Sequence, residues 1–313
     1  MPFTESNYEN AVLQLFTQTL GYSYAYGPDI ERDYHSPLYE DELLPTLRAI
    51  NPTMPQAALD DAVYKLKNFE SGTLLQKNMI FTDYLQNGVP VKFVVKGEER
   101  SGLVYLVDYQ HPERNQFTAV NQWTVIENSE KRADVVLFVN GLPLVVVELK
   151  SPSREKTDAS AAYRQLRNYM YEIPSLFIYN QVCVISDLNT SKAGTITSGE
   201  DRFMEWKTKD GSYENTQAAQ FDTFFEGILR KSGSWTFYRT SSASMWTGPT
   251  PLRFWRDITS ILRSKRPLHP PNTPLSPTVR AACSGTPRAA ASPCPWCSMP
   301  TICKRRWKAP PLW

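Results

Sequence analysis

RADVVLFVNGLPLVVVELKSP, residues 132–152, contains the strongest structural signal in the chain. Two apolar runs of strand character, at 135–139 and 144–149, lie on either side of Asn140 and Gly141. Asn-Gly between two such runs is a strong signal for a β-hairpin, because both residues tolerate the positive φ that a tight turn requires. The stretch therefore predicts two adjacent antiparallel strands.

Charged side chains lie at the open end of this predicted hairpin: Asp134 begins the first run, and Glu148 and Lys150 end the second. Side chains alternate between the two faces of a strand, so Glu148 and Lys150 point the same way. If three residues form the loop, Asp134 lies directly opposite Glu148, with the two Cβ atoms ~5 Å apart. Two carboxylates and an ammonium group then converge on one face of an otherwise apolar hairpin.

Burying these charges costs on the order of several kcal/mol each unless a partner compensates. A divalent cation is a natural compensator, and carboxylate oxygens suit Mg²⁺, which keeps several waters and takes further ligands from phosphate. Lys150 beside such an ion can orient or help deprotonate a water, or stabilise charge on a phosphate. The alternative is a plain hairpin whose solvated end carries a Glu148–Lys150 ion pair.

The average composition hides a sharp division of the chain. The 313 residues carry a net charge of +2, and the sequence has no apolar run of ~18 residues that could span a membrane. Its polar, acidic start is unlike a signal peptide, so a cytoplasmic protein is expected. Residues 1–231 hold 22 basic and 31 acidic residues, whereas residues 232–313 hold 12 basic and one acidic residue, together with 13 of the 24 prolines.

The hydrophobic periods predict a mixed α/β fold. Helical patterns lie at 7–20, 37–50, 55–69, 72–86, 158–171 and 216–230. Strand patterns lie at 22–26, 91–95, 103–107, 117–126, 176–179 and 182–186, with a peripheral hairpin at 195–206. The strands from residue 91 onward lead directly into the 132–152 hairpin. We therefore expect the core sheet to begin there and to carry helices on its faces.

Two of the predicted helices add candidate site residues. Glu9 lies in the first turn of the first helix, where it either complements the helix dipole or serves as a third acidic group of the metal site. In the helix at 158–171, Gln165 and Tyr169 are four residues apart and share a face, with Arg164 and Arg167 beside them.

The hairpin with Asp134, Glu148 and Lys150, followed by Gln165 and Tyr169, resembles the PD-(D/E)xK nuclease superfamily. It is similar in particular to the N-terminal nuclease domain of type I restriction enzyme R (motor) subunits, the HsdR family. The phrases FVNGLPLVVVELKSP, AVNQWTV, QLRNYMYEIPSLFIYNQVCVISD and ENAVLQLFTQTLGYSY carry this resemblance over about residues 5–231. It implies a restriction-endonuclease-like mixed central sheet flanked by helices.

The resemblance also implies roles for the candidate residues. Asp134 and Glu148 are implied to bind Mg²⁺, and Lys150 to assist the attacking water. Glu9 falls on the family's helical acidic position. Gln165 and Tyr169 match a Gln-x3-Tyr element implied to contact DNA near the cut, the alternative being helix packing for Tyr169 and a solvated Gln165. Arg164 and Arg167 flank this pair and are also expected to contact DNA.

The implied partners are double-stranded DNA and the methylation and specificity subunits of a type I complex. The net charge of −9 over residues 1–231 is unusual for a DNA-binding protein, because cations supply most non-specific affinity. Basic residues nevertheless cluster just after the acidic motif: Lys150, Arg154, Lys156, Arg164 and Arg167. We interpret them as local steering of DNA, with most of the affinity supplied by other parts of the complex.

The tail at 232–313 contains no phosphate-binding loop, although the family continues into an ATP-driven motor. ATP is therefore expected for the full-length family but not for this chain. Cys294 and Cys297, with Cys283, Cys303 and His269 nearby, suggest a zinc site, but spacing beyond the single CxxC is irregular, which disfavours it.

A shifted reading frame offers a better account of the tail. If each true codon takes the last base of one codon and the first two of the next, residues 284–299 permit FWHTQGSGKSLSMVFY, which contains an ATP-binding loop. Residues 234–245 and 258–268 permit further pieces of the family's continuation in the same frame. We predict a frameshift near residues 231–234. The tail, dense in Pro, Arg and Ala, is then expected to be largely disordered.

The sequence thus predicts a nuclease domain at 1–231, with its core at about 89–190, and a tail at 232–313. The expected activity is Mg²⁺-dependent hydrolysis of DNA phosphodiester bonds, as in a type I site-specific deoxyribonuclease truncated before its translocase. The alternative is a catalytically silent interaction fragment or pseudogene product of the same subunit.

Overall fold

The predicted hairpin is the centre of the sheet. The computed structural model describes residues 4–150, 159–187, 190–206 and 221–229. Strands β5 (Glu130–Val139) and β6 (Leu142–Leu149) are antiparallel neighbours. Asn140 and Gly141 form the two-residue turn between them, with φ of 53° and 77°. The Asn-Gly signal is therefore explained by a turn that needs positive φ at both central positions.

Seven strands form one mixed sheet in the order β1-β4-β5-β6-β7-β8-β9. The other strands are β1 (Ser23–Tyr26), β4 (Phe117–Ile126), β7 (Val182–Ser186), β8 (Ser191–Gly194) and β9 (Met204–Glu205). The β1–β4 and β6–β7 pairs are parallel, and the remaining pairs are antiparallel. This sheet extends beyond the predicted core of residues 89–190 on both sides.

Helices flank the sheet, so the predicted fold class is confirmed. They are α1 (Glu5–Gln14, continued by a π-helical turn at Leu15–Thr19), α2 (Glu40–Ile50), α3 (Gln56–Lys67), α4 (Leu74–Asn87), α5 (Ala159–Glu172), α6 (Pro174–Ile178) and α7 (Phe221–Leu229). None of them, within the described part of the chain, is both long and apolar enough to cross a bilayer.

The central strands are apolar on both faces because each face packs into its own core. Val135 and Val147 belong to the core that includes α1 and α7. Val136 and Val146 belong to the other core, which includes Leu166 and its neighbours on α5. Strands covered on both sides have near-continuous apolar sequences rather than alternating ones. This burial holds the hairpin rigidly.

The expectation that the core sheet begins near residue 91 is wrong. Strands β2 (Val89–Val95) and β3 (Glu98–Val104) pair only with each other and form a separate two-stranded sheet. Their side chains alternate between buried and exposed, and Val94 is 65% exposed, because only one face of this hairpin is covered. The first strand of the central sheet is instead β1, which pairs in parallel with β4.

Two other local assignments differ from the sequence prediction. Residues 176–179 were expected to be a strand, but Pro174–Ile178 is a short helix with Leu176 and Phe177 buried. A short apolar run fits a buried helix as well as a buried strand, and Pro174 favours the first helical turn. The predicted peripheral hairpin exists and is formed by β8 and β9. Its first strand, β8, ends at Gly194, just before the predicted range of 195–206. The predicted disorder of residues 232–313 lies outside the described residues.

Candidate functional site

Asp134 and Glu148 face each other across the β5–β6 pair. In the β5–β6 register Val135 pairs with Val147, so the next position outward places Asp134 opposite Glu148. The same pairing is predicted from the sequence if three residues form the loop. The structure reaches it through a two-residue turn plus a bulge in mid-strand, which shifts the register by one residue.

Lys150 completes a group of three charged side chains. Its Nζ donates to Glu148 Oε1 at 2.6 Å, and Asp134 Oδ2 accepts the backbone N–H of Leu149 at 2.8 Å. The Glu148 side chain is fully buried and that of Lys150 is 12% exposed. Glu148 Oε2 is also buried and has no hydrogen-bond donor in the described structure. The buried pair therefore retains one carboxylate oxygen available to a ligand.

Burial dominates the electrostatics of this group. Desolvation raises the pKa of Asp134 to about 6, and it raises the pKa of Glu148 well above the usual range, with repulsion from Asp134 adding to the effect. Desolvation acts to lower the pKa of Lys150, but attraction to Glu148 and Asp134 outweighs it and raises that pKa. One ammonium group thus faces two carboxyl groups, and a further positive charge is electrostatically favoured.

The donor set fits a hard divalent cation. Carboxylate oxygens are the protein ligands that Mg²⁺ takes, usually one or two of them, with waters and phosphate supplying the rest. Asp134 and Glu148 would hold such an ion, and the unpartnered Glu148 Oε2 offers a lone pair for it. Among the described residues, no cluster of three or more His, Cys, Asp or Glu side chains could bind a metal alone. The chemistry therefore favours an open site that is completed by substrate.

Glu9, the predicted third acid of the site, contacts strand β4 instead of the three charged side chains. Its Oε1 accepts from Asn121 Nδ2 at 2.6 Å, and its Oε2 accepts from Gln122 Nε2 at 2.8 Å. The helical acid whose charge raises the pKa of both Asp134 and Lys150 is Glu5, one turn earlier in α1. Glu5 is not among the predicted site residues, although its i, i+4 spacing from Glu9 places both on one helix face.

Gln165 and Tyr169 form a hydrogen-bonded pair on α5, where burial first and then the charges of Glu148 and Asp134 raise the pKa of Tyr169. Gln165 Nε2 donates to the Tyr169 hydroxyl at 2.6 Å, and that hydroxyl donates to the carbonyl oxygen of Arg132 at 3.0 Å. Tyr169 is 4% exposed and packs in the core on the α5 side. Its hydroxyl connects α5 to the start of β5. DNA contact by this pair stays a prediction.

The basic residues are only partly described. Arg164 and Arg167 are exposed on α5, and Arg167 donates to the carbonyl oxygen of Ile196 at 3.0 Å. Arg154 and Lys156 lie outside the described residues. A steering role for this cluster therefore stays a prediction.

Tyr169→Phe is expected to destabilise the chain by about 1–2 kcal/mol, because it removes a buried donor from Arg132 and an acceptor from Gln165. Urea denaturation would measure the change. Tyr171→Phe is the matched control, since Tyr171 lies on the same helix and is 76% exposed. An equal loss in both variants would contradict a specific contribution from the buried hydroxyl.

The fold and the site together define a class: a mixed α/β domain whose central hairpin carries two facing carboxylates and a lysine. The profile of the family described as "Type I restriction enzyme R protein N terminus" matches residues 2–202. The chain belongs to that family, and the resemblance inferred from its motifs is confirmed.

Relatives from distant organisms agree with this assignment. The type I restriction enzyme HindI endonuclease subunit of Haemophilus influenzae is 35% identical over 237 residues, which cover 72% of this chain and 22% of the relative. A putative type I restriction enzyme MjaIXP endonuclease subunit of Methanocaldococcus jannaschii is 31% identical over 237 residues, which again cover 72% of this chain and 22% of the relative. The chain thus spans about a fifth of the length of these relatives.

Proposed function

We propose that this chain carries the DNA-cleaving centre of a type I restriction R subunit and hydrolyses phosphodiester bonds with Mg²⁺. The observation that carries the proposal is the buried constellation of Asp134, Glu148 and Lys150 on adjacent strands. The relatives' description as endonuclease subunits supports the same reaction.

Each of the three residues has a distinct task in this reaction. Asp134 and Glu148 would hold the cation through their carboxylate oxygens, and the backbone N–H of Leu149 fixes the orientation of Asp134. When bound, Mg²⁺ would supply charge neutralisation at the scissile phosphate and make a nearby water more acidic. The Lys150 ammonium group would orient the attacking water by donating a hydrogen bond to it. The water oxygen bonds to phosphorus, the bond from phosphorus to the ester oxygen breaks, the water gives up its proton to solvent, and the departing oxygen takes a proton from solvent.

The few basic residues near the site suggest that other parts of a larger complex supply most of the DNA binding. The exposed Arg164 and Arg167 offer phosphate contacts next to an otherwise acidic domain. We propose that methylation and specificity subunits, and an ATP-driven translocase, supply recognition and delivery. The chain itself then contributes cleavage without sequence preference.

Nicking of supercoiled plasmid with Mg²⁺ tests the proposal. The wild-type chain is expected to nick DNA, whereas Asp134→Ala and Lys150→Ala are expected to lower the rate by about a hundredfold or more, because each removes a group that acts on the transition state. Glu99→Gln, an exposed acid on the separate β2–β3 hairpin, is the charge-matched control. Equal, near-zero rates in wild type and both variants would favour the catalytically silent fragment instead.

We further propose that residues 232–313 are an out-of-frame translation and that the nuclease domain ends near residue 231. The support is the shifted frame, which permits an ATP-binding loop and neighbouring family-like segments in one consistent register. The nucleotide sequence around codon 232 tests this. A single inserted or lost base is expected, and an intact frame coding the tail would overturn it.

A further inference from the structure

The backbone of Lys150 is fixed independently of its ion pair. Lys150 is the first residue beyond β6, yet its backbone N–H donates to the carbonyl oxygen of Ser186 at 2.9 Å. This bond continues the parallel β6–β7 ladder, in which Leu149 is paired with Ser186. Because side chains alternate along an extended chain, continuing the ladder keeps the Lys150 side chain on the face that carries Glu148.

Ser186, the last residue of β7, is itself fixed by two other hydroxyl groups. Its Oγ lies 2.6 Å from the Tyr8 hydroxyl on α1 and 2.6 Å from Ser191 Oγ on β8. Ser191 is also the cross-strand partner of Ser186 in the β7–β8 pair. Elements α1, β7 and β8 therefore meet at the residue that accepts the Lys150 N–H.

These three hydroxyl groups, which we call the hydroxyl cluster, are buried at a place where apolar side chains would be expected. Tyr8 and Ser186 are 0% exposed, and Ser191 is 1% exposed. Burying a hydroxyl group costs free energy unless it is hydrogen-bonded, and a buried network whose members are bonded makes its surroundings rigid. The ends of elements otherwise open at low cost in free energy. The hydroxyl cluster thus secures β7 at the end where it would open first.

The hydroxyl cluster and the charged group lie on opposite faces of the sheet. Val184, two residues before Ser186, packs in the core that includes α1. Val146, two residues before Glu148, packs in the core that includes α5. Side chains two residues apart on a strand share a face. The hydroxyl cluster therefore reaches the site only through the backbone bond to Lys150.

We propose that Ser186 is a positioning residue of the cleavage centre: its carbonyl oxygen holds the Lys150 backbone in strand geometry, and the hydroxyl cluster holds Ser186. Tyr8 and Ser191 act through Ser186, and none of the three touches substrate. The effect on cleavage rests on the proposed function, whereas the placement of the Lys150 backbone is independent of any activity.

Amide hydrogen exchange of the full 313-residue chain, resolved to single amides by NMR, tests the placement. Ser186→Ala is expected to speed exchange at the Lys150 amide by about tenfold, because losing the central hydroxyl frees the end of β7. The Gln181 amide, which donates to the Leu144 carbonyl oxygen at the other end of the same strand pair, is expected to change less than about twofold. Tyr8→Phe removes one hydroxyl group, retains the buried ring, and is expected to show the same selective effect to a smaller extent.

Steady-state nicking of plasmid DNA with Mg²⁺ tests the consequence for cleavage. Ser186→Ala is expected to lower kcat by about tenfold with KM for DNA unchanged, because a displaced Lys150 orients the attacking water poorly. In the Lys150→Ala background, Ser186→Ala is expected to cause no further loss. Thr82→Ala is the matched control, since the Thr82 hydroxyl is also buried but bonds to Gln181, just before the start of β7. It is expected to leave kcat unchanged.

The remaining outcomes each decide the matter. If the Lys150 and Gln181 amides accelerate equally in Ser186→Ala, the hydroxyl cluster only stabilises the fold and the positioning role is wrong. It is also wrong if neither amide changes, if kcat is unchanged, or if kcat falls equally with and without Lys150. Where Ser186→Ala does not fold, Tyr8→Phe decides by the same measurements. If wild type does not nick DNA, the proposed function fails, and exchange at the Lys150 amide still decides whether Ser186 positions Lys150.

Discussion

Gly141→Ala is expected to destabilise the chain by about 3–5 kcal/mol, or to prevent folding. A Cβ at this position would lie 2.4 Å from the Tyr39 carbonyl oxygen and 2.7 Å from the backbone nitrogen of Leu43. Both neighbours are backbone atoms at the start of α2, so neither can rotate away. The φ of 77° adds strain for any residue with a side chain.

Gly97→Ala separates these two causes. Gly97 lies in the turn between β2 and β3 with a φ of 84°, but a Cβ added there meets nothing within 4 Å. Only the backbone strain of about 1 kcal/mol is therefore expected at this position. Urea denaturation of both variants would measure the difference. An equal loss of unfolding free energy at Gly141 and Gly97 would contradict the expectation that contact with α2 adds to the cost at Gly141.

Glu148→Gln is expected to lower Mg²⁺-dependent nicking by about a thousandfold while raising the free energy of unfolding by about 1–3 kcal/mol at pH 8. The catalytic loss follows from losing a carboxylate that we propose binds the cation. The gain in stability follows from the fully buried position of Glu148, whose charge is opposed by burial and by Asp134. The negative Asp134 and the positive Lys150 then remain, and their charges sum to zero.

The same variant should change how stability depends on pH. The pKa of Asp134 is raised from 3.8 to about 6, and that of Glu148 is raised further above its usual range. The folded chain therefore holds protons that the unfolded chain releases, so its stability falls as pH rises from about 4 through 6 and above. For wild type in a chelating buffer, the shift of Asp134 alone contributes about 3 kcal/mol.

Urea denaturation at several pH values, with wild type and Glu148→Gln compared, isolates this contribution from other titrating groups. The fall in stability should be shallower in the variant. Glu42→Gln is a useful second control, because burial also raises the pKa of Glu42. The Glu42 carboxylate accepts a hydrogen bond from Thr118, and no neighbouring acid adds to the rise of its pKa. A Glu148→Gln variant less stable than wild type at pH 8 would contradict a dominant burial penalty.

Local patterns were sufficient for the β5–β6 hairpin and its charged end. Two apolar runs around Asn140 and Gly141 fix strand, turn and face within about twenty residues, because alternation and turn conformation are local properties. Membership of the family followed from this hairpin together with the spacing of Gln165 and Tyr169 and further matching phrases over about residues 5–231. By contrast, the pattern at 91–95 and 103–107 could not reveal which strand these residues would pair with. Strand partners depend on long-range contacts that no local period encodes.

The tertiary structure alone decided how the candidate site is surrounded. Glu5 and Glu9 are equivalent in helical periodicity, and only the docking of α1 shows that Glu9 meets Asn121 and Gln122. The sequence determined which acidic and basic groups are available, because their spacing along strands is local. Their partners and burial were set by the packing of α1 and α5 against the sheet, since those contacts join distant residues, 37 positions apart for Tyr169 and Arg132 and 112 positions apart for Glu9 and Asn121.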